Sequence, residues 1–95
     1  MSRNLEQLKC SLNVSLHSLL RSKGFEVIPS VYYSNALSCI CIDVSIAIVH
    51  DKAVNFVTKY CKDRDILITQ FSQTKILIQI ENAYKLLAML KLEGY

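Results

Sequence analysis

The run SCICIDVSIAIVH, residues 38–50, has no turn residue and a single carboxylate, Asp43, in its middle. Its β-branched alternation predicts one long strand over 37–50. Ile40, Ile42, Val44, Ile46 and Ile48 then point one way; Cys39, Cys41, Asp43, Ser45 and Ala47 point the other. The first face is bulky and belongs in a core. The second is small enough for another backbone or helix to approach closely. A strand apolar on both faces calls for cover on both faces, so helices are expected on each side of the sheet that contains it.

The rest of the chain supplies those partners. Residues 4–23 read as a helix, with Leu5, Leu8, Leu12, Leu16 and Leu19 forming a seam at 3-and-4 spacing. Asn4 and Gln7 resemble a capping pair, and Gly24 stands where helices end. Residues 25–33 read as a strand in which Pro29 favours an edge position, and Ser34-Asn35 is a plausible turn. Asp51 is placed to cap a second helix over 52–62, buried through Ala53, Phe56, Val57 and Tyr60. KDRD, 62–65, is a surface loop. ILITQF (66–71) and KILIQI (75–80) read as strands joined by Ser72-Gln73-Thr74, and a third helix spans 82–92. The expected fold class is α/β in the order helix, hairpin, helix, hairpin, helix, with about four strands in a mixed or antiparallel sheet. The domain organisation is a single unit, 1–95.

Ninety-five residues bury only roughly 60–65% of the unfolded surface, so help from a metal, a disulfide or a partner chain is expected. The net charge of +3 is too small to imply nucleic acid by itself. No segment reaches the roughly 18 apolar residues of a membrane span, and MSRNLEQLK has no signal-peptide apolar region. The expectation is an intracellular, reducing compartment, cytoplasmic or nuclear, with the four cysteines as thiols.

The third helix is the anomaly. Ala83, Leu86, Leu87 and Leu90 define one face, yet Tyr84, Ala88, Met89 and Leu92 put apolar groups on most of the remainder. A helix apolar nearly all round is buried nearly all round, and a chain of this size has no second layer for it. Tyr84, Ala88, Met89 and Leu92 are therefore the expected contacts with a partner, either a second copy or another protein subunit.

Catalytic and metal chemistry find little support. Cys39-x-Cys41 is not the Cys-x2-Cys spacing that zinc favours. His17 and His50 stand in no nucleophile–base pattern. With glycines only at 24 and 94 there is no phosphate-cradling loop. No enzyme activity, metal or cofactor is expected. Lys52, Lys59, Lys62 and Arg64 could form a phosphate-contacting face, diluted by Asp51, Asp63 and Asp65. A solvated helix face is the plainer account.

LHSLLRSKGFEVIPS, 16–30, resembles the opening helix and strand of Holliday-junction resolvases and other restriction-endonuclease-like proteins. IDVSIAIV then stands where that fold carries its first metal acid, at Asp43. The acid-x-Lys of that family's next strand is absent: Asp51 and Lys52 are adjacent, which on a strand sends them to opposite faces. The resemblance implies a degenerate, non-cutting relative that binds DNA or a nuclease subunit. In topology alone the chain is also similar to roadblock and longin-type scaffolds, which assemble through a helix and a sheet edge. The expected function is a non-catalytic protein–protein interaction module, with nucleic-acid binding on a decayed nuclease fold as the alternative.

Overall fold

The computed structural model describes residues 2–44 and 50–95, with side chains described over 4–44 and 52–95. In chain order the elements are α1 (Ser2–Ser22), β1 (Ser30–Ser34), β2 (Cys39–Asp43), α2 (His50–Lys62), β3 (Thr69–Gln70), β4 (Lys75–Ile78) and α3 (Ile80–Leu92). The architecture is α/β, built on one antiparallel four-stranded sheet in the order β1-β2-β4-β3.

All three helices end the same way. After α1, the Phe25 N–H donates to the Leu20 carbonyl at 2.9 Å and the Gly24 N–H to the Arg21 carbonyl at 3.1 Å. After α2, Ile66 donates to Cys61 and Asp65 to Lys62. After α3, Tyr95 donates to Leu90 and Gly94 to Lys91. This paired closure satisfies the last orphan carbonyls and needs a left-handed residue just past the helix. Gly24 (φ 86) and Gly94 (φ 93) fill that position without strain, whereas α2 uses Asp65 at φ 57. At each end an apolar residue, Phe25, Ile66 or Tyr95, then turns the chain back onto the molecule.

The helix starts differ from expectation. Asn4 lies inside α1, and Asp51 is the second residue of α2 rather than its cap. The strands are also shorter. Residues 25–29 run into the sheet unpaired before β1 starts, and β2 stops at Asp43. The expected strand positions Ser45, Ile46, Ala47 and Ile48 lie outside the described residues.

Register fixes the two faces of the sheet. Ile40 pairs with Tyr33 and Ile78, and Ile42 pairs with Val31 and Ile76. These residues, with Val44, join Leu8, Leu12, Leu16, Leu19 and Leu20 of α1, Ala53, Val54 and Val57 of α2, and Ala83, Leu86 and Leu90 of α3 in one core. All three helices thus pack on the isoleucine face. The expected cover on both faces is corrected: among the described residues, no helix lies on the Cys39/Cys41 face. The thiols are nevertheless buried. Small side chains on a central strand sink between larger cross-strand neighbours, here Tyr32 and Leu77 flanking Cys41. Local burial of small groups and burial under a layer give the same alternation in sequence.

Candidate interaction surface

The uncovered face is built by period-two alternation in each strand. From β1 it takes Tyr32, from β2 Cys39 and Cys41, and from β4 Leu77; Thr69 of β3 pairs with Leu77. Leu67 and Phe71, two residues before and after Thr69, continue the same parity, and Phe71 stays hydrogen-bonded to the Lys75 carbonyl. Leu37, in the β1–β2 loop, stands near Leu67 at one end of the face. Leu67 is 77% exposed, Phe71 56% and Leu37 48%. Leu37, Cys39, Leu67 and Leu77 line a shallow groove of about 250 Å³ at one end of the sheet, where Gln79 and Asn82 at the start of α3 complete it. Scattered exposed apolar residues need no explanation, but a contiguous set on one face does.

Chemistry on this face is subdued. The Tyr32 hydroxyl is pushed up to about 12, first by its hydrogen bond with Cys41, then by burial and by the negative charges of Cys41 and Asp43. Cys39 is raised by burial and by Cys41. A thiol raised this way is a poor nucleophile. Asp43 is half-buried and stands opposite Lys75 on β4 and Ser30 on β1. Elsewhere, Cys61 is pushed up to about 12 by burial, against a smaller opposing effect of Arg64. Cys10 is exposed on α1. Among the described residues, no group of three or more His, Cys, Asp or Glu side chains gathers as a metal site would require.

The third helix is not buried all round, which corrects the premise drawn from its composition. Ala83, Leu86 and Leu90 face the core, and Leu87 and Met89 pack at its margins. Tyr84, Ala88 and Leu92 lie on the outward side beside Glu81 and Lys85. Of the four expected contacts, then, Met89 packs against the core while Tyr84, Ala88 and Leu92 are exposed.

The four basic residues around α2 have different surroundings. Lys52 and Lys62 are exposed, and Lys59 pairs with Asp63 at 3.3 Å. Arg64 is committed to the end of α3: its Nε donates to Glu93 Oε2 at 2.7 Å and its Nη2 to Oε1 at 2.9 Å. The guanidinium also stacks on the Tyr60 ring, 3.5 Å from the centroid, while the Tyr60 hydroxyl donates to Glu93 Oε1 at 3.1 Å. The hydrogen bond from Arg64 holds the Glu93 carboxyl below its ordinary value. A forked pair of this kind, with Lys85 Nζ donating to the Asp65 carbonyl at 2.9 Å, clamps α3 to the end of α2. No sequence pattern announced it, because Arg64 and Glu93 are 29 residues apart.

His17 is half-buried and lines a groove with Arg21, Phe25 and Glu26; the side chain of His50 lies outside the described residues. No described helix is long and apolar enough to cross a membrane. ILITQF carries the uncovered face in the alternation of Leu67, Thr69 and Phe71 with Ile66 and Ile68; the expectation of cover on both sides comes instead from the two apolar parities of 38–50. Compared with known proteins, the chain matches no family model, no curated protein and no solved structure.

Proposed function

We propose that this chain is a non-catalytic protein–protein interaction module, a small subunit of a larger assembly, and that it docks through the uncovered face of its sheet. The observation that carries the reading is the exposure of Leu37, Leu67 and Phe71 together on a face that also holds Tyr32 and Leu77. Covering one such side chain is worth roughly 1.5–3 kcal/mol, a sizeable share of the net stability of a small domain. The outward side of α3 is the weaker candidate. Glu81 and Lys85 interrupt it, and Leu92 stands alone in the last turn. The nucleic-acid reading loses Arg64 to Glu93, and Lys59 has Asp63 beside it.

The test is an environment-sensitive dye such as anilinonaphthalene sulfonate, added to the folded chain. It should bind, and Leu67→Asp with Phe71→Asp should abolish binding while the thermal melt followed by circular dichroism is preserved. A folded wild-type chain that binds no dye, and scatters light as a monomer at every concentration, overturns the reading.

A further inference from the structure

Resting on the interaction-module reading, we infer that β1 is the edge through which two copies of this chain join, antiparallel, with each Tyr32 opposite the Tyr32 of the other copy. Among the described residues β1 pairs only with β2, so its outer row of backbone donors and acceptors is open. Natural edges are guarded by charge, bulges or brevity. The opposite edge, β3, is two residues long before the chain turns at Ser72. β1 has five residues, and no charged residue occurs anywhere from 27 to 42. Its one guard, Pro29, precedes the paired segment.

The occupant follows from the strand's own sequence. SVYYS reads nearly the same in both directions. A two-fold axis through Tyr32 sets Tyr32 on Tyr32, Val31 on Tyr33, and Ser30 on Ser34, each pair on one face of the sheet. Aromatic–aromatic and aromatic–β-branched neighbours are the favoured cross-strand pairs. Val31 and Tyr33 face α1 yet are only partly buried, as residues are when no strand lies beyond them. Because the segment is uncharged, two copies carrying +3 each meet here without like charges in register. With one long edge among the described residues, β1, the contact is isologous and closes at two copies.

The experiment compares Tyr32→Lys and Tyr32→Glu, alone and mixed, by analytical ultracentrifugation. The wild-type chain should dimerise. Each variant alone should associate at least tenfold more weakly, and the equimolar mixture should recover dimer, since lysine then faces glutamate. Amide hydrogen exchange on the wild-type chain needs no variant: the outward β1 amides should be protected at high concentration and exposed on dilution. Unprotected β1 amides in a chain that associates, or a mixture that stays as weak as its parts, overturn the edge pairing. So does a chain that is monomeric throughout; dye binding to Leu67 and Phe71 then decides the module reading separately.

Discussion

Asp65 occupies a left-handed position that glycine fills at the ends of the other two helices. A side chain there crowds the backbone by roughly 1 kcal/mol, somewhat less for aspartate, which tolerates the region. Asp65→Gly should therefore stabilise the fold by about 0.5–1 kcal/mol, read as a higher urea midpoint with an unchanged slope. The clamp at Glu93 gives a pH signature at the same scale. Its carboxyl is depressed in the folded chain, chiefly by the hydrogen bond from Arg64. Its contribution is thus complete above the ordinary carboxylate value and fades as pH falls through the lower folded one. The midpoint gap between wild type and Glu93→Gln should be open at pH 7 and narrow as acidification carries the pH below the ordinary carboxylate range. A gap independent of pH would mean that the ion pair contributes nothing.

At the scale of elements, the two parities of each strand predict opposite responses. Ile76 is buried against the helices, whereas Leu67 projects from the uncovered face. Ile76→Ala or Leu86→Ala should cost about 2–5 kcal/mol, as large-to-small core changes do. Leu67→Ala and Leu92→Ala should fall within roughly 0.5 kcal/mol of wild type. Urea titration of the four variants checks this, and a Leu67→Ala cost equal to that of Ile76→Ala would mean that the face is covered. Sequence reading succeeded where period and chemistry coincide. The leucine seam of α1, the stop at Gly24 and the isoleucine face of β2 are all legible, because each is a local consequence of residue type. It failed where the deciding fact is non-local. Cys41 looks like a residue awaiting a second layer, but its neighbours in the sheet, Tyr32 and Leu77, bury it. Tyr84 and Leu92 look like surplus on a buried helix, but α3 is buried along one stripe, Ala83, Leu86 and Leu90, with Leu87 and Met89 at its margins. The Arg64–Glu93 clamp, with no periodicity, was beyond reach.

For the whole molecule, pairing at β1 would extend the sheet to β3-β4-β2-β1-β1-β2-β4-β3, antiparallel throughout. A two-fold axis perpendicular to the sheet keeps every helix on one side, so the apolar faces of the two copies merge into one surface twice as wide. A five-residue edge covers less than the roughly 1,200 Å² typical of a stable interface. The dimer should therefore be weak and its stability should depend on concentration. Where unfolding also dissociates two chains, each tenfold rise in concentration adds up to about 0.7 kcal/mol per chain. That is half of the roughly 1.4 kcal/mol that a tenfold change is worth, because two chains share one association. The wild-type thermal midpoint should climb across a hundredfold concentration range. Tyr32→Lys should hold a constant midpoint, while Leu67→Asp with Phe71→Asp should keep the climb, since those residues lie off the edge. A climb lost in the Leu67/Phe71 variant and kept in the Tyr32 variant would move the contact from the edge of the sheet to its face.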